Sequence, residues 1–308
     1  MTDRVIQLQD VVRRKAAALG PEGEAWLAGL PDLVDDLARE WSITVGPPVS
    51  GGTASYVARV RTADGQDAVL KIAVPQLDFG GQVRALVDAD GHGYVRVLTH
   101  DVDRHALLME ALGRPLEEVD ASPEDKIATL CATLRQAWLV PRPTGPSVDP
   151  ALGLIELVGT LWERLGHPCS ERVVKRALTY AERRAAAFDL DRCVVAHGDP
   201  HPANTLRVLT PRPGAESGFV FVDPDGFLAD PTYDLGVVLR DWCSQLLAGD
   251  APALAHHYCA LLAGHTGFDE KAIWEWGFLQ RVSTGLYALS FGADEMARPY
   301  LETAELLG

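Results

Sequence analysis

From residue 42 to about residue 110 the apolar residues fall in short β-rich runs, whereas the residues before and after that block follow helical spacing. Strands gathered in one block, and not alternating with helices one by one, call for an α+β fold: a small antiparallel sheet forms one lobe and helices a larger second one. The runs are SITVG, SYVARVRT, AVLKIAV, YVRVLTH and HALLMEAL, separated by turn signals such as ADGQ and DVDR, with a single helix expected in 76–89. Before them, Val5, Leu8, Val11 and Val12, and after Pro21 the set Trp26, Leu27, Leu30, Leu33, Val34 and Leu37, stand at helical spacing. The expected organisation is N-terminal helices in 1–41, a β-rich lobe in 42–113 and a helical lobe in 114–308 with a cleft between the lobes.

In the helical lobe, patterns at 123–140, 152–165 and 171–188 precede one β-rich interruption, and helices are expected again at 233–248, 252–264 and 271–289. The interruption reads CVVAHGDPHPANTLRVLT, a Pro/Gly turn, then GFVFVDPDG. Two apolar runs there each deliver an acid: VVA leads into His197, Gly198 and Asp199, and FVFV ends at Asp223.

Composition narrows the function. The 308 residues carry 28 Lys and Arg against 43 Asp and Glu, a net charge of −15, which argues against a nucleic-acid-binding protein because phosphate contacts need a basic face. Five scattered cysteines, with no CxxC pair, read as reduced thiols in a cytoplasmic protein rather than a disulfide framework or a zinc site. No signal-peptide-like segment opens the sequence, and no stretch approaches the roughly 20 apolar residues needed to span a bilayer.

Four features carry the chemistry, in one order. Gly51, Gly52 and Thr53 make a tight turn between two strands, where glycines let backbone amides approach phosphate oxygens; a plain hairpin has the same signature. Lys71 stands in the middle of the apolar strand AVLKIAV, which costs stability unless it meets an anion or its head reaches water from an edge. Asn204 follows Asp199 by five positions on a Pro/Gly-rich loop, a spacing suited to holding a reacting hydroxyl and a divalent cation side by side. Asp223 adds an oxygen ligand, and Asp, Asn, phosphate and water together are what Mg²⁺ takes. Two strands flanking a turn would place Asn204 and Asp223 next to each other.

That order of turn, strand lysine, HGDxxxxN and strand-terminal Asp resembles the protein-kinase-like superfamily, and its HGD form the aminoglycoside phosphotransferase and choline kinase branch. More narrowly, GPEGEAWLAGLPDLVDDLAREW, VSGGTASYV, ADGQDAVLKI and VDPDGFLADPTYDLG are similar to the streptomycin 6-phosphotransferase, or aminoglycoside/hydroxyurea resistance kinase, group. The resemblance implies a two-lobe kinase-like fold using ATP and Mg²⁺. In it Asp199 is the catalytic base, Asn204 and Asp223 hold the metal, and Lys71 contacts the α- and β-phosphates. The segment LLMEALG resembles the hinge that binds adenine through its backbone, at Glu110 and Leu112.

His197 is expected to brace the loop, Asp234 to anchor it or start the helix, and Asp230 to cap a helix, while Asp225 is a second acid available to the metal. One departure stands out. Where such kinases pair the strand lysine with a Glu, the best-placed residue here is Gln82, a neutral amide.

For the acceptor the resemblance points to acids and aromatics of the C-terminal helices, here Asp241, Trp242, Glu275 and Asp294; the same aromatics also read as core. The implied substrate is a small cationic molecule, an aminoglycoside of the streptomycin type phosphorylated on a hydroxyl. A kinase of a choline-like, sugar or nucleoside-type alcohol remains an alternative, as does a nucleotide-binding pseudokinase-like module. His197, Asp199 and His201 taken alone also read as a transition-metal site, although a third ligand cluster is missing and no GxSxG serine motif occurs.

Overall fold

The computed structural model describes residues 6–49, 54–75, 79–143 and 147–308, so the turn residues Gly51, Gly52 and Thr53 lie outside the described residues. The chain divides into two compact units, one of Met1–Gly91 with Val95–Gly113, the other of His92–Tyr94 with Arg114–Gly308.

In the first unit α1 (Asp10–Ala17) and α2 (Pro21–Glu40) precede a five-stranded sheet. Its strands are β1 (Ile43–Pro48), β2 (Ser55–Thr62), β3 (Asp67–Ala73), β4 (Val97–Asp101) and β5 (Ala106–Glu110), in the order β1-β2-β3-β5-β4, with every pair antiparallel. The β2–β3 turn forms where ADGQ signals it: Gly65, at φ +85°, closes onto Thr62 through its N–H. Alternation then decides the faces. Tyr56, Ala58 and Val60 of β2 and Ala68, Leu70 and Ile72 of β3 join Leu30, Val34 and Leu37 of α2 in one core, and the period of two turns Lys71 to the opposite face. The helix α3 (Phe79–Ala89) lies within the expected 76–89 span.

The second unit is mainly helical: α4 (Pro123–Ala137), α5 (Pro150–Arg164), α6 (Glu171–Ala186), α7 (Thr232–Arg240), α8 (Cys243–Ala248), α9 (Ala251–Thr266), α10 (Glu270–Ser290) and α11 (Asp294–Leu307). Ser122, Asp149, Ser170, Asp250 and Asp269 cap α4, α5, α6, α9 and α10, each side chain accepting a backbone N–H that the first turn leaves unpaired. At the centre, α10 packs on α5, α6, α7 and α11 and is buried almost all round, which suits its nearly continuous apolar and small residues.

Two details differ from the sequence reading. The single helix expected at 233–248 is two, because the chain turns at Asp241 and Trp242, where the Cys243 N–H bonds to the Asp241 carbonyl at 2.9 Å. A further strand, Phe227–Ala229, follows the expected β-rich stretch; with its partner it is too short for periodicity to declare it.

Candidate active site

Two small antiparallel pairs frame the HGD loop. Strand β6 (Val194–Ala196) pairs with β9 (Phe227–Ala229), and β7 (Thr205–Arg207) pairs with β8 (Phe219–Phe221). The loop between β6 and β7 is fastened from beneath by Asp234 in the first turn of α7. Its Oδ2 accepts from the His197 N–H (2.9 Å) and the Trp138 indole N–H (2.8 Å), and its Oδ1 from the Gly198 N–H (2.9 Å). Asp234 is fully buried; that burial pushes its acid group up to about 6, against the pull of those three donors.

His197 braces the loop. Its Nδ1 accepts from the Asp199 N–H at 3.1 Å, so Nε2 carries the proton and donates to the Val222 carbonyl at 2.9 Å. Burial holds the ring neutral, at about 4, between Tyr94 and Phe221. Since both ring nitrogens are engaged, His197 has no lone pair for a metal, and the transition-metal reading of HxDxH loses its first ligand. Gly198, at φ +87°, is required twice over: a Cβ there would lie 2.3 Å from the Asp225 carboxylate. Burial of that carboxylate, together with the charges of Asp199 and Asp234, pushes the Asp225 acid group up to about 7.

Asp199 is the loop's outward carboxylate, with its side chain 41% exposed. Its Oδ1 is ion-paired with Nη2 of Arg240, the last residue of α7, and its Oδ2 lies 3.4 Å from His201 Nε2. Burial alone would raise the acid group, but the guanidinium and then His201 hold Asp199 far below the usual carboxylate range. His201 Nδ1 accepts from the Ala203 N–H at 3.2 Å, which directs its Nε2–H at Asp199. Arg240 was not singled out in the sequence. Its signal was weak: a single cation closing the apolar run LGVVL, an ordinary place for a basic residue in the last turn of a helix.

Asn204 is brought to the strand that leads into Asp223. The Asn204 carbonyl accepts from the Val222 N–H at 2.9 Å in the step that continues the β7–β8 pairing, which sets Asn204 beside the residue preceding Asp223. Asn204 Nδ2 donates to the Asp199 carbonyl (3.1 Å), and Oδ1 takes no part in that bond. Asp223 adopts φ 59°, a left-handed conformation that Asp tolerates better than most residues. The donors are hard oxygens, and the like charges raising Asp225 are what a divalent cation relieves, so the residues fit Mg²⁺. Among the described residues no group of three or more His, Cys, Asp or Glu side chains forms a metal cluster.

In the first unit, Lys71 is 3% exposed and its Nζ donates to Gln82 Oε1 of α3 at 3.0 Å, so the neutral amide occupies the place in which the sequence put it. Glu110 ends β5, and its side chain turns back to accept the Arg96 N–H at 2.9 Å; Leu112 follows in the connection to the second unit.

The acceptor candidates separate. Asp241 lies against the site, its Oδ1 3.4 Å from Arg240 Nε. Trp242 is buried against Tyr258 at a ring distance of 5.8 Å. Glu275 is 1% exposed and bridges α10 to α6 through Arg184 (2.8 Å) and Arg183 (3.2 Å), so the structure corrects its reading as an acceptor ligand: its charge is spent on holding two helices together. Asp294 is exposed in the first turn of α11.

A profile of the aminoglycoside/hydroxyurea antibiotic resistance kinase family matches residues 40–292. The chain belongs to that family. Like its family, this kinase is a phosphotransferase acting on a hydroxyl group. It is 27% identical to a streptomycin 6-kinase of Streptomyces glaucescens over 99% of this chain and 98% of that protein. It is 28% identical to a hydroxyurea phosphotransferase of Kitasatospora aureofaciens over 92% of this chain and 80% of that one. Among solved structures, a choline/ethanolamine kinase family protein of Mesorhizobium loti shares the fold at a TM-score of 0.62 and 17% identity, covering 89% of this chain and 94% of that one. An aminoglycoside phosphotransferase of Streptomyces rimosus, solved with ADP and streptomycin, does so at 0.53 and 18%, covering 83% and 98%. The two-lobe kinase-like α+β expectation is met. Among the described residues, no helix is long and apolar enough to cross a membrane.

Proposed function

We propose that this kinase transfers the γ-phosphoryl group of ATP to a hydroxyl of a cationic aminoglycoside of the streptomycin type, and that the modification confers resistance. The observation that carries the reading is Asp199: a half-exposed carboxylate on a loop fastened by Asp234, with one oxygen fixed by Arg240 and the Asn204 amide tied to its own backbone carbonyl. Phosphoryl transfer asks little covalent chemistry of a protein and much positioning, so a fixed carboxylate is the main requirement on the acceptor side.

Asp199 accepts a hydrogen bond from the attacking hydroxyl and orients its lone pair. Because Arg240 depresses its basicity, it orients the hydroxyl at first and takes the proton as the oxygen–phosphorus bond forms. Asn204 and Asp223 hold Mg²⁺, which neutralises phosphate charge when bound. Lys71 serves the α- and β-phosphates, Gly51, Gly52 and Thr53 their oxygens, and the backbone at Glu110 and Leu112 the adenine. Asp241 and Asp294 offer charge to an acceptor's ammonium or guanidinium groups, in keeping with the net −15. The streptomycin 6-kinase relatives, aligned over nearly the whole chain, support that acceptor class. The hydroxyurea phosphotransferase relative supports a second reading, hydroxyurea or another small hydroxylated compound.

The test is a coupled ADP-release assay with Mg·ATP against streptomycin, other aminoglycosides, hydroxyurea and simple alcohols, with Asp199→Asn as the blank. Streptomycin-dependent turnover at least about 10³-fold above the blank is expected. Turnover on hydroxyurea alone moves the function to the second reading, and full activity in the blank removes Asp199 from the reaction.

A further inference from the structure

We infer that Arg240 is the positioning residue of the transfer, a fixed clamp that holds the Asp199 carboxylate in the orientation in which it meets the acceptor hydroxyl. The inference rests on Asp199 serving that hydroxyl, as proposed above.

All three corners of the guanidinium are occupied, each by a different part of the second unit. Nη2 pairs with Asp199 Oδ1 on the loop, Nη1 donates to Thr284 Oγ1 of α10 at 3.1 Å, and Nε faces Asp241 Oδ1 at 3.4 Å where α7 gives way to α8. The side chain is only 11% exposed. A planar fork gripped at three corners cannot rotate without breaking at least two contacts, so it presents Asp199 with a single direction.

The base of the fork is held as firmly. Arg281, 1% exposed on α10, donates through Nη2 to the Leu239 carbonyl at 3.0 Å and through Nη1 to Thr303 Oγ1 of α11 at 2.7 Å. The residue preceding Arg240 is thereby tied to α10 and, through Arg281, to one further helix, α11. The end of α7 is a rigid mount, in contrast to a mobile side chain that could swing toward a phosphate.

Charge explains why a clamp is needed. Asp199 feels the carboxylates of Asp225 and Asp234 as well as His197, His201 and Tyr300. Without a cation on Oδ1 the like charges favour its turning outward to water. With Arg240 in place, one oxygen is committed and the other keeps only the longer contact with His201 Nε2, at 3.4 Å.

A residue that acts only through Asp199 lowers kcat and leaves nucleotide binding alone. Arg240→Met is expected to lower kcat about 100-fold, the scale of a misplaced catalytic group, with the KM for ATP unchanged within about twofold. Arg240→Lys, a point charge without the fork, should recover part of the loss, and Thr284→Val, which frees one corner, should cost about threefold in kcat.

The deciding measurement is a double-mutant cycle read in single turnovers. In the Asp199→Asn background, Arg240→Met should cost no further rate, because its only route of action is gone. A further loss of tenfold or more there, or a rise in the KM for ATP parallel to the fall in kcat, would overturn the clamp in favour of direct contact with the phosphoryl group. Wild-type kcat in Arg240→Met beside an inactive Asp199→Asn would reject the clamp and leave the base intact; activity in Asp199→Asn itself rejects the base. Where Arg240→Met fails to fold, the kcat-against-KM split of Arg240→Lys and Thr284→Val decides: a fall in kcat alone supports the clamp, and no fall, or a matching rise in KM, rejects it.

Discussion

Two aspartates hold opposite faces of the HGD loop, and the means by which each is itself held differ. Asp234, beneath the loop, is wholly buried and met by three uncharged N–H donors, two of them from the loop backbone. Asp199, on the outer face, is half exposed and met by a guanidinium. Burial pushes the Asp234 acid group up to about 6, and its three neutral donors offset that only in part; for Asp199 burial pushes the same way, but the guanidinium outweighs it and the acid group falls well below its ordinary value. The inner aspartate is thereby built into the loop's support, and the outer one is the carboxylate to which the proposed function assigns the acceptor hydroxyl.

The sharpest way to break this contrast is Asp234→Ala. It strands three buried N–H donors, and a loss of about 3 kcal/mol or more is expected, read as a fall of the midpoint in urea; a change under about 1 kcal/mol would mean that the loop is fastened elsewhere. Next is Gly198→Ala, which forces an L side chain into φ +87° and drives its Cβ into Asp225. About 2 kcal/mol of destabilisation is expected, and unaltered stability would show that the loop yields there.

The smallest effect is the most discriminating, and it concerns pH. A carboxyl whose folded pKa is raised from the ordinary 3.8 to about 6 binds its proton more tightly in the native state, so its contribution to stability is greatest at low pH and is lost as pH rises through about 6. Measured as the stability difference between the wild type and Asp234→Asn, the wild type should gain about 1 kcal/mol between pH 7 and pH 5. A gap that stays constant, or moves the other way, would mean that the three donors hold Asp234 ionised and that the two aspartates are alike in charge.

Much of this was legible beforehand for local reasons. Alternation in SYVARVRT and AVLKIAV sets the sheet faces, so a lysine out of phase with Leu70 and Ile72 had to lie on the face away from their core. The five-residue interval from Asp199 to Asn204 and the strand-turn-strand around Asp223 are likewise local, and the chain closes them as the spacing implies. Asp234 as the loop's anchor was legible too, as an acid in the first turn of a helix following the β-rich pair.

Other roles depended on distance along the chain. Glu275 reads as an acid among aromatics and available to a ligand, but it lies 92 residues from Arg183, and only helix packing shows that Arg183 and Arg184 consume it. The break after Arg240, which turns one expected helix into α7 and α8, leaves no Gly or Pro as a marker and is held by Arg281 from α10.

By itself the sequence determined the α+β class, the block of strands that forms the five-stranded sheet, and most of the helices around it, because periodicity and short-range spacing act within a few residues and need no partner. Only the tertiary structure decided which charges meet. Arg240 reaches Asp199 across 41 positions and Thr284 across 44, and Trp138 reaches Asp234 across 96. Such pairs are selected when the core packs, since a buried charge or N–H group takes whichever complementary group the packing brings within hydrogen-bond distance.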